Sequence, residues 1–559
     1  MLAAVAYLWL APAHIVDGDN AELSTLGGIG GVPHPTGYPL LMIYLRLMQW
    51  LPGSTPAHTA ALATALVGAA SIIVLHAACR AWGAKPLAAT IACAIFAAAP
   101  VVVEMNTECE VFALNDLVVG TILLLAATNG PVKGLWRALL LGLVAGLGLS
   151  DHVTCALTFP IGILGIVRTV RESSWRAIAV ATGGIVIGLL PYAYLLITAE
   201  NARSWGRHID SFGALLFHFL RKDYGGPGAF APNRPDVPML DNLWEYVKTI
   251  GRWWLYVPAI GGAIAIGRRI VRKDIGAAVL FVTWLISGPL LVLRFNVELE
   301  GVGLFVVHRF HLMSALIWAV PVAWALSDVI PDRLAERTLL NVAALIAFVG
   351  ILVTSLPFVQ AVHSPAVERN VRNMLASLPQ DSVVIVAEDD LDFGSSYVQL
   401  MLHERPDVHV IMWYAISRPA TRERVEAELG FPIPKVGNDI FVAHFAQKVL
   451  DSKRPLFVDT FQKHVLEAYP SYPYGILFRV LPQGTARPSI REVFAINKEL
   501  FGKFVIDYPK PSWSAPWPAH VHERMTRTWT IIHDALVADH DDEDAAFALE
   551  LAKALVPDP

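Results

Sequence analysis

The sequence is short of charge. Asp, Glu, Lys and Arg make up 16% of its 559 residues, well below the roughly 25% typical of a soluble globular protein. Too few charges are present to cover a water-facing surface along the whole chain. A net basic balance is also lacking: the formal charge is −5 and the pI about 6.4, which excludes a nucleic-acid footprint. Cysteine is scarce. Cys79, Cys93, Cys109 and Cys155 form no CxxC pair, so metal and redox roles find little support. They read as structural residues, small and buried, with Cys109 at a membrane boundary. There is no nucleotide loop, because Gly225-Gly-Pro-Gly228 has neither the buried strand before it nor the Lys-Ser/Thr after it that such a loop needs. No basic stretch precedes the opening apolar segment, so a cleavable signal peptide is not expected.

What the chain has is apolar length. Hydrophobic residues make up 55% and mean hydropathy is +0.50, with most of the excess before residue 356. Runs able to cross a bilayer fall near 57–79, 86–103, 111–128, 134–150, 153–168, 176–197, 250–267, 275–293, 307–326 and 338–356. With 1–13 as the first, this predicts a polytopic α-helical membrane protein of about eleven spans. A dozen apolar residues at the start are too few for ~30 Å of hydrocarbon, so either the first helix ends shallowly or the start lies upstream of Met1. The segment 38–51 is interrupted by Arg46 and Gln49 and fits an interfacial helix.

Basic residues fall in alternate connections: Arg80 and Lys85, Lys133 and Arg137, Arg168 to Arg176, Arg268 to Lys273, then Arg333 and Arg337. The positive-inside rule makes that side cytoplasmic. The acidic connections, 14–56, 104–110, 151–152, 198–249 and 294–306, then face outward, and so does the segment after the last span. Two domains follow: 1–356 in the membrane and 357–559 as a soluble extracytoplasmic domain. In the latter, 382–387 and 408–413 read as strands around a helix at 393–403, with further strand-like runs at 439–443 and 456–459, the rhythm of an α/β domain. Asp541 to Asp544 read as a solvated helix start; His540 before them raises a metal site as the lesser reading.

Chemistry-bearing residues gather in the outward connections. Asp17, Asp19 and Glu22 lie within six residues. On a helix Asp19 and Glu22 share a face, which suits paired carboxylates; a capping box with Asp19 as N-cap accounts for the same spacing. Prolines and glycines stiffen the path from Gly31 to Leu40, holding His34 and Tyr38 against a cavity or simply connecting two helices. Glu104, Glu108 and Glu110 precede Asn115 and Asp116, which enter a span and need partners or a wet cleft. Asp151 stands where it could orient His152. Arg207 and His208 follow Trp205, and Arg221 and Lys222 lie beside Phe219 and Tyr224, a combination of cations and aromatics suited to a phosphate and a sugar ring. Arg309 at a span mouth needs an anion: a lipid phosphate, Glu298 or Glu300. Gly142 and Gly146 form a small-xxx-small step for helix packing.

Four of these segments together resemble the TMEM260-like protein O-mannosyltransferases, integral-membrane glycosyltransferases of the GT-C type: Gly18-Asp-Asn-Ala-Glu-Leu23, where the family has Gly-Asp-Ser-Gly-Glu-Leu; His34-Pro-Thr-Gly-Tyr-Pro-Leu40; Glu108-Cys-Glu-Val-Phe-Ala-Leu-Asn115; and Gly148-Leu-Ser-Asp-His-Val-Thr154, where the family more often has Asn before His. Weaker echoes are Arg309-Phe310 and 370–379, so the resemblance covers roughly 15–400. It implies an inverting, metal-assisted or metal-free transferase that moves a sugar, mannose in the best-known members, from a polyprenyl-phosphate donor to a protein Ser/Thr or a glycan hydroxyl. Membrane lipids are its surroundings, and it needs no nucleotide site. The resemblance implies catalytic roles for Asp19 as base, Glu22 as orienter or substitute and Asp17 as reserve. Arg309, His152 and Lys222 would receive the phosphate, and His34, Tyr38, Glu108, Glu110 and Asn115 would shape the pocket. Two rival readings are a lipid or polysaccharide transferase and a transporter or flippase. A transporter calls for internal repeats and polar groups at the midplane, whereas here the polar motifs cluster at one surface. A non-catalytic scaffold would tolerate loss of Asp19 or Glu22.

Overall fold

The computed structural model describes residues 2–200, 204–226, 238–295, 297–331, 338–433 and 438–559; Arg333 and Arg337 of the last basic cluster lie outside these. The chain forms two compact units. The first is Met1–Ala13, Pro33–Thr198 and Ile209–Gln360; the second is His14–Val32, Ala199–His208 and Ala361–Pro559. The second unit thus gathers two short segments from before residue 356, and one of them carries Asp17, Asp19 and Glu22.

The first unit is helical, and with its helices the chain is a multi-pass membrane protein. Among the described residues seven helices are long and apolar enough to cross a bilayer, Pro56–Ala81, Gly134–Asp151, Val153–Glu172, Arg176–Thr198, Ile275–Val292, Leu312–Val329 and Leu340–Ser377, and an eighth if a bent pair is one span. The expected runs that fall short do so for local reasons. The opening helix is only Leu2–Leu10, about 14 Å of rise. The 86–103 run ends as a helix at Ala98 and restarts at Pro100, because proline has no N–H to continue the ladder. The run at 250–267 is instead the junction of Met239–Trp253 and Val257–Val271, bent by 105°. Proline in the first turn of the second helix breaks the ladder there, and Leu255 and Tyr256 take positive φ. The Gly142 and Gly146 step does pack helices: a Cβ at either would strike the backbone of Arg176–Gly188 around Ala181 and Ile185. All four cysteines are buried and unbridged.

The second unit is built on a mixed sheet: β1 (Val383–Val386), β2 (His409–Met412), β3 (Leu456–Val458), β4 (Ser471–Tyr474) and β5 (Leu477–Val480), in the order β2-β1-β3-β5-β4. β1 runs parallel to β2 and β3, while β5 is antiparallel to β3 and β4. The run at 439–443 expected as a strand lies in helix Asn438–Asp451; a short apolar run does not by itself distinguish the two. The β1 and β3 strands are apolar and buried along their whole length, as parallel strands covered on both faces must be. Helix Gly18–Ile29 packs along helix Asp389–Met401. Gly18 permits this, since a Cβ there would sit 3.0 Å from the Asp389 backbone.

A charged cluster ties helix Pro516–Ala538 to the residues after β1. Arg524 forks onto the fully buried Asp390 at 2.8 and 2.7 Å and meets Glu388 at 2.7 Å, while His520 meets Glu388 at 2.5 Å. Burial alone would raise the Glu388 carboxyl, but Arg524 and His520 hold it well below the usual carboxylate range. Burial alone would lower His520, but hydrogen bonds to Glu388 and Glu523 lift it to about 9. The folded state therefore favours charged His520. That stabilisation is complete below the ordinary imidazole value and is lost as pH rises through about 9, while the Glu388 contribution is lost only in acid. The melting temperature of the detergent-solubilised protein is expected to fall between about pH 7 and 9. It should fall less steeply in His520→Gln. Equal slopes for the two proteins would remove His520 from this role.

Candidate active site

In the second unit, the three carboxylates Asp17, Asp19 and Glu22 sit at one helix start. Asp17, not Asp19, is the N-cap: its φ and ψ are extended and its Oδ1 accepts the Asn20 N–H at 2.6 Å. The expected capping box is thereby corrected. Asp19 stands in the first turn, where a negative charge suits the helix dipole, and Glu22 one turn further is 3% exposed. The segment before them is anchored by the Ile15 N–H, which donates to Glu368 at 3.2 Å.

In the first unit, motifs far apart in sequence converge. The Tyr38 hydroxyl meets His34 Nε2 at 2.8 Å. The Tyr38 ring stacks with His152 at 6.1 Å between centroids. His152 also borders Phe112 and Phe310, at 5.6 and 6.1 Å. Arg309 lies over Phe112 at 5.7 Å and donates to Glu110 at 3.0 Å. The turn that presents Tyr38 depends on Gly37 at φ +89°, where a Cβ would crowd Leu195 and His218. Tyr38 itself is left-handed and directly precedes helix Pro39–Leu47.

Several expected partnerships come out differently. Arg309 pairs with Glu110, and not with Glu298 or Glu300, the protein carboxylates the sequence suggests. His152 Nδ1 is held by Thr154 at 2.6 Å, and neither carboxylate oxygen of Asp151 has a hydrogen-bond partner among the described residues. Lys222 Nζ lies over Phe217 at 5.9 Å; the cations acting electrostatically on His152 are Arg221 and Arg309. Asn115 is buried in the first turn of Phe112–Ala126, with its Oδ1 unpartnered among the described residues. Glu108 is buried nearby in sequence, outside the ring contacts just described.

Sequence reasoning missed Glu245. It bonds His308 at 2.9 Å and pairs with Lys248, and the one available signal was its place on the amphipathic helix Met239–Trp253. Among the described residues no three His, Cys, Asp or Glu side chains gather as a metal ligand set. His540 is no exception: Asp541 beside it caps helix Asp542–Leu555 and pairs with Arg491 at 2.8 Å.

The Arg309–Glu110 pair is largely buried, with side-chain exposures of 14% and 2%. Removing one partner strands the other charge. Glu110→Gln and Arg309→Met are each expected to destabilise the protein by about 3 kcal/mol. The double variant should cost less than their sum by at least about 1 kcal/mol. Thermal unfolding of the four proteins in one detergent reads this cycle, and simple additivity would dissolve the pair.

Residues 19–175 match the Protein O-mannosyl-transferase TMEM260 N-terminal domain. The chain is 25% identical to Protein O-mannosyl-transferase TMEM260 of Mus musculus over 445 residues, 73% of this chain and 61% of that protein. It is 23% identical to Protein O-mannosyl-transferase tmem260 of Dictyostelium discoideum over 258 residues, 42% of this chain and 31% of that one. The chain therefore spans less than two thirds of the length of these curated relatives. Among solved structures it resembles ArnT from Cupriavidus metallidurans bound to undecaprenyl phosphate, with TM-score 0.57 and 12% identity over 87% of this chain and 98% of that one. The apo form of the same protein gives TM-score 0.54. At that identity the likeness speaks to the fold alone. Over residues 19–175 the chain is thus similar to the TMEM260 N-terminal domain, and its polytopic helical fold resembles that of ArnT.

Proposed function

We propose that the protein is an inverting glycosyltransferase that moves mannose from a polyprenyl-phosphate donor to a Ser or Thr hydroxyl of a protein outside the cytoplasm. The observation that carries this reading is the convergence of His34, Tyr38, Phe112, His152 and Phe310 around the Arg309–Glu110 pair. Aromatic faces, an imidazole and a guanidinium suit a sugar ring next to a phosphate. The names of the mouse and Dictyostelium relatives support the protein acceptor, and the undecaprenyl phosphate bound to ArnT supports a lipid-linked donor. In this reading residues 357–559 and the outward connections lie on the extracytoplasmic side.

The chemistry assigned to the side chains is as follows. The acceptor hydroxyl attacks the anomeric carbon and gives its proton to a carboxylate, Asp19, with Glu22 orienting the hydroxyl or standing in as base. The bond between the anomeric carbon and the phosphate oxygen breaks, and its electron pair leaves on the lipid phosphate. Arg309 stabilises that departing charge through the fixed positive charge of its guanidinium. His152 and Lys222 assist, while His34, Tyr38, Glu108, Glu110 and Asn115 shape the donor's surroundings. Asp17 is committed to holding the helix start, which makes it a positioning residue.

Purified protein supplied with polyprenyl-phosphate mannose and a secreted-protein extract is expected to transfer mannose. Asp19→Asn should lower the turnover at least ~100-fold with donor binding retained, and Glu22→Gln should also lower it. Transfer undiminished in both variants would remove these two carboxylates from the reaction.

A further inference from the structure

The second unit contains a cleft whose lining, apart from Glu22, has no part in the mechanism above. It is a shallow cleft, about 570 Å³ only when the open solvent at its mouth is counted, and its walls include Glu22, Trp205, Asp392, Phe393, Tyr414 and Arg418. It lies where Met412 ends β2 and helix Asp389–Met401 begins after β1, the side of a parallel sheet on which ligands are usually bound. Three stretches distant in sequence build it, and each is pinned. The Trp205 N–H donates to the Val32 carbonyl at 2.8 Å, and the Val32 N–H donates to the Ser204 hydroxyl at 3.0 Å. The Ala420 N–H donates to the Gly206 carbonyl at 3.0 Å. Gly206 has φ +90°, and a Cβ there would collide with the Thr421 hydroxyl. Arg418 donates to the Trp205 carbonyl at 3.0 Å, with its guanidinium 3.5 Å from the Trp205 ring centre and 5.2 Å from that of Tyr414. The Tyr414 hydroxyl donates to Asp389 at 3.0 Å. The cleft is therefore preformed, as small-ligand and peptide sites tend to be.

We propose that this cleft is the acceptor subsite and that it binds a polypeptide segment, with Arg418, Asp392 and Phe393 as specificity-determining residues. The proposal rests on the transferase reading above. Its own support is that Glu22, assigned there to the acceptor hydroxyl, is part of the cleft wall. A polypeptide fits better than a sugar. Carbohydrate sites present an open aromatic face, but here the indole of Trp205 is covered by Arg418 and only 6% exposed. The remaining wall alternates carboxylate, guanidinium, hydroxyl and apolar groups (Asp392, Arg424, Ser396 and Phe393 among them). That mixture matches main-chain amides and carbonyls interspersed with side chains.

The test is steady-state transfer by the full-length protein, with labelled polyprenyl-phosphate mannose as donor and a secreted-protein extract titrated as acceptor. Arg418→Met is expected to raise the half-saturating acceptor concentration at least tenfold while the donor's stays within twofold, and Arg418→Lys should fall between. Asp392→Asn and Phe393→Ala are read in the same way, so the result stands even if one variant fails to fold, as judged by thermal unfolding. Unchanged acceptor saturation in the folded variants overturns the subsite. A shift in donor saturation instead overturns it as well and makes the cleft donor-binding. Full transfer to extract whose proteins have been digested to small fragments with the glycans left intact overturns the polypeptide occupant. Absence of transfer by the wild type would sink the transferase reading, and the subsite with it; that failure is distinguishable because it appears before any variant is made.

Discussion

The second unit depends on how closely helix Gly18–Ile29 approaches helix Asp389–Met401. At Gly18 the two backbones come so near that a single methyl group would meet Asp389 at 3.0 Å. A hydrogen side chain at this position lets the first outward segment lie against the sheet layer and not merely connect two helices. Asp17 starts the helix, Asp19 occupies its first turn, and Glu22 is carried to the cleft wall. The anchoring of Ile15 to Glu368 sets the direction from which the chain arrives. A short, acidic, loop-like stretch thereby becomes a rigid presentation of carboxylates, the condition general base catalysis requires.

Charge compensation is the second organising constraint, and it works separately within each unit. In the first, Arg309 takes Glu110, and Glu245 takes His308 and Lys248. In the second, Arg524 takes Asp390 and Glu388, with His520 alongside. An isolated charge is costly in both settings, in one because the surroundings are lipid and packed helix, in the other because the group is inside a core. The cluster after β1 forms a self-contained staple between helix Pro516–Ala538 and the sheet. The Arg309 pair borders aromatic rings and the His34–Tyr38–His152 contacts, where a further anion could share the guanidinium.

Much of the site was legible because its members are polar residues in apolar company. His34, Tyr38, His152 and Arg309 stand out for that reason, and the structure gathers them. Pairings were less legible. Asp151 precedes His152 in sequence, yet Asp151 ends its helix while His152 takes extended backbone, and Thr154 makes the contact. Asp19 looked like a cap, but capping depends on where the backbone leaves the extended region, and that is at Asp17. Arg418 carried no signal, since its contacts to Trp205 are made across more than two hundred positions.

The sequence by itself determined that this is a polytopic membrane protein whose basic and acidic connections alternate, because hydrophobic length and charge placement are properties of consecutive residues. It also determined the β-α-β start of the sheet layer, where alternation of strand and helix patterns is local. Tertiary structure alone decided which cation meets which carboxylate, and that the 14–32 and 199–208 segments complete the second unit. The physical reason is common to all of these. A buried partner or a backbone collision is a relation between distant segments, and its free energy exists only once packing has brought them together.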